Sequence, residues 1–387
     1  MSPNTATLVE PFEAVCADPY ATARAAAAEG RKVAGYLCTY TPEELLHAAG
    51  YVPVRIFGYS DGTQRADGLL QAYACSLARA ALELALSGQL DFLSLTVFPH
   101  TCDTIQNLAD VWRRNVSGAL HVTLATPVNV ESEHAVRFYR AELERVRDLL
   151  AAANGPIADD DLAASIALHN EHRAAMRRLY AVRRANPGVL SGRDILTVVL
   201  SSFLMPKEDH LGLLHELVSA LESAPAAPAT GPKVFVAGAL CQSADYIAAI
   251  EDAGCVVVDD DLCTGSRAFA VEEQACDDPI EALARMYLSR RPCASKHRPG
   301  HSFGRDVLAR ARDAKADGVV FLFTKFCDPW AFDYPEMREV LEEAGVPSLL
   351  LEIEQHVAPP EQFHTRVAAF AEMVGALHGG ANERATS

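Results

Sequence analysis

Two apolar runs far apart in the chain end alike. Residues 93–98 run into Pro99-His100-Thr101-Cys102-Asp103, and residues 319–324 into Lys325-Phe326-Cys327-Asp328. A short, unbroken apolar run closed by polar residues reads as a strand buried on both faces, the habit of parallel sheets. Strands are expected at 33–37, 52–57, 92–98 and 120–126. A second series is expected at 233–237, 255–259, 319–324 and 348–353, with helical spacing between the strands. Helices are expected at 42–49, with Thr41 as N-cap and Pro42 in the first position, at 69–86 and at 104–112. A second echo links the halves. Pro42-Glu43 through Ala49-Gly50-Tyr51-Val52-Pro53 leads into one strand, and Pro335-Glu336 through Ala344-Gly345-Val346-Pro347 into another.

The pattern defines an α/β chain of two Rossmann-like parallel-sheet domains joined by a helical connector. An N-terminal helical segment is expected at 1–30, the first α/β domain at 31–132, and the connector at 133–222. A Ser/Ala/Pro-rich hinge at 223–232 precedes the second α/β domain at 233–387. With 387 residues, half of them apolar, two cores can be filled. A formal charge of −17 excludes a general nucleic-acid binder, which needs a basic surface. Neither a signal peptide nor an apolar run of membrane-spanning length is apparent, so a cytoplasmic protein is expected, with no membrane and no nucleic-acid partner.

Ten cysteines are many for such a compartment, where surplus thiols point to metal or redox chemistry or else pack as small hydrophobes. Ligands of open α/β sheets gather beyond the carboxyl ends of strands, where Cys102 and Cys327 fall, one from each half. Cys75 sits on the helix expected before the Cys102 strand. Three thiolates can hold an iron–sulfur cubane with one iron open, although soft thiolates also suit zinc. No C-x-x-C pair occurs, which speaks against zinc ribbons and ferredoxin runs.

Several stretches resemble the 2-hydroxyacyl-CoA dehydratase and benzoyl-CoA reductase family. They are Gly35-Tyr36, Pro42-Glu43-Glu44-Leu45, Ala48-Ala49-Gly50, Pro53-Val54, Cys75 with Arg79, Phe98-Pro99 with Cys102-Asp103, and Val257-Val258-Asp259-Asp260. Phe326-Cys327-Asp328-Pro329 and Val346-Pro347 with Glu352-Ile353-Glu354 complete the series, in order from about residue 31 to 356. The resemblance implies one 4Fe–4S cluster per chain on Cys75, Cys102 and Cys327. It also implies a homologous second subunit, in a heterodimer or a homodimer, and a separate ATP-dependent iron–sulfur activator. The implied reaction eliminates water from a 2-hydroxyacyl-CoA through a ketyl-type radical; ring reduction of the benzoyl-CoA type uses the same parts. A two-lobed electron-transfer or ligand-binding protein is the alternative from another class. One departure is expected to matter: in some dehydratase subunits the family pattern carries a carboxylate after the second strand, whereas Arg55-Ile56-Phe57-Gly58-Tyr59 has none, so this chain is either the subunit lacking that base or one whose reaction differs.

His100 is a candidate for proton transfer beside Cys102. The basic run Arg290, Arg291, Lys296, His297 and Arg298 reads first as a solvated loop and second as a site for CoA phosphates. His169 and His172 read as a polar helix face. Gly300-His301-Ser302-Phe303-Gly304 matches the nucleophile-elbow spelling, but no buried strand precedes it. Cys241, Cys255, Cys263, Cys276 and Cys293 are expected to be buried or incidental thiols, with a second metal site on Cys263 and Cys293 as the alternative.

Overall fold

The computed structural model describes residues 3–271, 276–355 and 357–385. Its described residues form two four-stranded, all-parallel sheets. The first contains β1 (Lys32–Tyr36), β2 (Tyr51–Arg55), β3 (Leu95–His100) and β4 (Leu120–Ala125), in the order β2-β1-β3-β4. The second contains β5 (Lys233–Gly238), β6 (Val256–Asp261), β7 (Gly318–Thr324) and β8 (Ser348–Ile353), in the order β6-β5-β7-β8. The halves thus share one topology, as the sequence echo suggests. In each, strand order reverses between the first and third strands, and that crevice is where α/β sheets receive ligands.

The connector consists of helices Ala135–Asn154, Asp159–Ala185, Gly192–Ser201 and Lys207–Glu222. The long helix Asp159–Ala185 touches both halves: Ser165 meets helix Glu43–Ala48, and Tyr180 donates to Asp260 on β6. Helix Pro279–Leu288, late in the sequence, crosses back and shares the apolar cluster of the first sheet with Tyr139, Leu143 and Leu150.

Two helix starts differ from the sequence reading. The helix expected from residue 69 begins at Ser76, with Cys75 as its N-cap. Glu83 causes the delay, because its carboxylate accepts the backbone N–H groups of Arg65 and Ala66 at 2.7 and 3.0 Å and folds that segment back. Thr41 is not an N-cap. Its hydroxyl donates to the Leu37 carbonyl at 2.9 Å, and Pro42 precedes helix Glu43–Ala48.

His169 and His172 do not form a solvated face; both are buried. His210 donates from Nε2 to the Val198 carbonyl at 2.9 Å, so its Nδ1 accepts from His172 Nε2, also at 2.9 Å. Burial keeps these rings neutral, with His169 pushed down to about 4 and His210 to about 3. Beside them Glu44 pairs with Arg173 at 2.6 Å and accepts from Tyr287 at 2.8 Å. Burial opposes ionisation of Glu44, yet Arg173 holds its carboxyl at about 2.

Replacing Glu44 by Ala strands Arg173 and is expected to cost about 3–5 kcal/mol in chemical unfolding. The histidines set a separate pH dependence. The unfolded chain takes up protons below about pH 6.5, while the folded rings resist until about 4 or lower. Stability is therefore full above the unfolded value and falls on acidification through that window. His210→Gln should flatten the decline in melting temperature between about pH 6.5 and 4; an unchanged slope would contradict this assignment.

Candidate metal centre

A cavity of about 120 Å³ opens between the carboxyl ends of the two sheets. Cys75, Cys102 and Cys327 all line it, so the structure brings the three thiols expected from the sequence to one place. Each occupies the N-cap of a helix: Cys75 for Ser76–Leu86, Cys102 for Asp103–Asn115, Cys327 for Asp328–Glu343. Backbone N–H groups one turn on meet the sulfurs, from Leu77 and Ala78, Ile105 and Trp330 respectively, and favour their thiolate forms. Burial works the other way and dominates, raising all three thiols, Cys102 to about 12. Without a metal these sulfurs stay protonated; a bound metal would displace the protons. The Asp of each Cys-Asp pair is exposed in the first helical turn, where it favours the helix dipole rather than facing the cavity.

Three more thiols line the same cavity. Cys263 and Cys293 do so, which joins them to the first three instead of placing them at a separate site or leaving them as incidental core. Cys38, singled out by no sequence pattern, is the third; it follows β1 with φ 64°. Cys241 and Cys255 are buried thiols as expected, and Cys276 is exposed. The cavity thiols act on one another: Cys75, Cys38 and Cys293 disfavour ionisation of Cys102, and Cys75, Cys293 and Cys102 that of Cys327. Among the described residues no three His, Cys, Asp or Glu side chains close around a single-ion position.

The described lining carries Arg55, Arg267, Arg290 and Arg291 and no carboxylate. Arg55, buried at the end of β2, donates to Cys263 Sγ at 3.7 Å and packs against the Phe57 and Phe203 rings. Arg267 stacks on Trp330 with 4.6 Å to the ring centroid. Both guanidiniums keep a buried Nη1 with no hydrogen-bond partner among the described residues. Behind them, Asp261 at the end of β6 binds Arg267 at 3.2 Å, Arg291 at 3.3 Å and also Arg310. Burial opposes its ionisation, but the three arginines hold its carboxyl far below the usual range. The positive charge around the cavity therefore exceeds the negative charge that anchors it.

The basic run is not a solvated loop. Arg290 and Lys296 are buried, Arg290 donating to the Ala268 carbonyl at 2.8 Å and Lys296 lying over the Tyr40 ring at 5.0 Å. Arg298 pairs with Glu131 at 3.2 Å, and His297 is exposed. His100 does not line the cavity; it ends β3 beside Ala125 of β4, and the Thr126 hydroxyl donates to its carbonyl at 3.1 Å. Ser302 caps helix Phe303–Asp313, accepting from Arg305 N at 3.1 Å and donating to Glu336, so it is a helix-start residue without a strand before it.

Two glutamines of the second half stitch it to the first. The Gln355 backbone N–H donates to Ser76 Oγ at 2.9 Å, and its Nε2 donates to the Leu240 carbonyl at 2.8 Å. Gln242 accepts from Gly58 N at 2.8 Å. A Cβ at Gly58 would meet Ala80 Cβ at 2.7 Å, so this position after β2 has room for glycine but not for a carboxylate.

Residues 38–374 match the family described as 2-hydroxyglutaryl-CoA dehydratase, D-component, and the chain belongs to that family. It is similar to the lactoyl-CoA dehydratase subunit beta of Anaerotignum propionicum, 34% identical over 349 residues, covering 89% of this chain and 92% of that one. It is also similar to the (R)-phenyllactyl-CoA dehydratase beta subunit of Clostridium sporogenes, 29% identical with coverage of 89% and 92%. A benzoyl-CoA reductase subunit of Thauera aromatica is 29% identical, with 89% and 91% covered. All three relatives are named as subunits of enzymes. Among the described residues no helix is long and apolar enough to cross a membrane.

Asp261→Asn is expected to leave three inward guanidiniums without their shared counter-charge. A loss of about 3–5 kcal/mol in chemical unfolding should follow, and a loss below about 1 kcal/mol would show that the arginines find other partners.

Proposed function

We propose that the chain is the cluster-bearing subunit of a 2-hydroxyacyl-CoA dehydratase, with one 4Fe–4S cluster on Cys75, Cys102 and Cys327. The observation that carries this reading is the meeting of three thiols from helix N-cap positions in one cavity that has arginines and no carboxylate among its described lining. The donor set fits: thiolates suit iron–sulfur clusters, and ligands of a cubane stand apart around it rather than converging on one ion. The unpartnered Nη1 groups of Arg55 and Arg267 suit an anionic occupant. When bound, such a cluster supplies one-electron transfer and an open iron with Lewis-acid character.

The protein's own contribution is electrostatic and steric. Helix N-termini and arginines hold negative charge in place without reorganising, and Leu77, Ile105, Leu240 and Trp330 keep the cavity wall apolar. Removing the β-proton of an acyl thioester is difficult, and one-electron reduction of its carbonyl acidifies that proton; a low-potential electron from a separate ATP-hydrolysing activator would serve this step. Tyr73, Phe326 and Phe332 are 68%, 40% and 83% exposed beside Cys75 or Cys327, which supports a surface covered by a second subunit or the activator. A benzoyl-CoA-type reductase is the second reading, favoured by the missing carboxylate after β2 and along the described lining.

Anaerobically purified protein is expected to contain iron and acid-labile sulfide with cubane-type absorption and electron paramagnetic resonance. Cys75→Ala, Cys102→Ala and Cys327→Ala should each abolish or strongly reduce those signals. Stoichiometric zinc in place of iron, or full iron retention in all three variants, would contradict the proposal. With partner and activator supplied, formation of an enoyl-CoA separates dehydration from ring reduction.

A further inference from the structure

The thiol-lined cavity has neither a carboxylate nor a histidine among its described lining. Yet the proposed chemistry moves protons: dehydration takes one from the β-carbon and gives one to the departing hydroxyl, so that water leaves. A neighbouring space holds the groups that are missing. A second cavity, of about 30 Å³, shares Thr39 and Arg290 with the first, and its other walls carry Glu43, Glu44, His169 and Lys207.

Size and polarity suit water there, since one molecule needs only about 10–15 Å³ and a few polar partners. His169 donates from Nδ1 to the Ser165 carbonyl at 2.8 Å, which leaves its buried Nε2 an acceptor with no partner among the described residues. The Tyr36 hydroxyl, at the end of β1, is buried and likewise has no hydrogen-bond partner among the described residues. It feels the charges of Glu43 on the small cavity and of Arg55 on the large one. The two glutamates differ. Glu44 is fully buried and locked onto Arg173 and Tyr287. Glu43 pairs with Lys207 at 3.0 Å and keeps 17% of its side chain exposed.

We infer that Glu43 is the port through which protons reach the thiol-lined cavity, relayed by water in the small cavity past Thr39 and Tyr36. This inference rests on the cluster reading above. Glu43 touches solvent on one side and the small cavity on the other, so it acts as a positioning residue rather than on the reacting atoms. Burial opposes its ionisation, yet Lys207 and His169 hold its carboxyl below the usual range, while Glu44 works against them. Burial and then the Glu43 charge push the Tyr36 hydroxyl up, and burial keeps His169 neutral. The resting set is thus a carboxylate, a bare imidazole nitrogen and a hydroxyl. An electron added to the large cavity raises the proton affinity of all three. A proton taken from solvent by the Glu43 carboxylate passes on to cavity water, and the carboxylate is regenerated.

The test is flash photoreduction of the iron-loaded chain, without oxygen and in weak buffer, with a pH-indicator dye reporting proton uptake. The wild-type chain is expected to take up protons as it is reduced. Glu43→Gln should slow that uptake about tenfold or more at unchanged iron content and unchanged extent of reduction, and Glu43→Asp should restore most of the rate. Glu43→Gln leaves Lys207 buried without its partner, so Glu43→Gln combined with Lys207→Met is the second variant and should be equally slow. Uptake at the wild-type rate in both variants, or reduction of the wild type without proton uptake, would overturn the port. A chain that binds no iron would overturn the cluster reading and the port together, and iron analysis of the same sample separates that outcome from failure of the port alone.

Discussion

A thiolate surrounded by apolar side chains is unstable unless positive charge meets it, and the architecture around the cavity satisfies that condition. Cys75, Cys102 and Cys327 each stand where a helix begins, so backbone N–H groups of the first turn favour their thiolate forms. Burial alone raises these thiols, and the helix starts only partly offset it. Arginines supply further positive charge, and Asp261 supplies the anchor that lets Arg267 and Arg291 sit inside the protein. Cavity, cations and caps make sense together as a site for a negatively charged occupant held by soft ligands.

The same constraint explains why two sheets are needed. A parallel sheet offers its ligand crevice at one end, where strand order reverses, and one crevice cannot surround a compact group with thiols on several sides. Two sheets of identical order, facing each other through Gln242 and Gln355, deliver ligands from both directions. Helix Asp159–Ala185 and helix Pro279–Leu288 tie the halves together from the side through buried polar contacts. Rigid placement of this sort is what a reactive group requires of its protein scaffold.

Much of this was legible in the chain itself. Eight strands could be read because parallel strands are buried on both faces and leave unbroken apolar runs, and Cys102 and Cys327 were marked by the matching ends of two such runs. Cys38 was not visible: Leu37-Cys38-Thr39 resembles the close of any short strand, and only tertiary packing shows which way its thiol faces. The start of the helix after Cys75 was hidden for another reason. Glu83, well inside the apparent helical pattern, competes for the Arg65 and Ala66 amides and shortens the helix from a distance. Arg290 and Lys296 looked solvated because charge in a sequence signals a surface, and nothing local announces that Ala268, Thr126 and the Tyr40 ring will receive them. His100, close to a marked cysteine, is the last residue of β3, and the chain leaves the strand before Cys102 caps the next helix, so the two side chains need not share a direction.

Everything proposed for this chain depends on iron sitting between the two sheets on Cys75, Cys102 and Cys327. Anomalous diffraction at the iron edge, from crystals grown without oxygen, is the decisive measurement. Anomalous density filling the cavity and continuous with all three sulfurs is the expected result. A cavity without iron density in a chain that is otherwise loaded with iron, or density at the zinc edge instead, would contradict it.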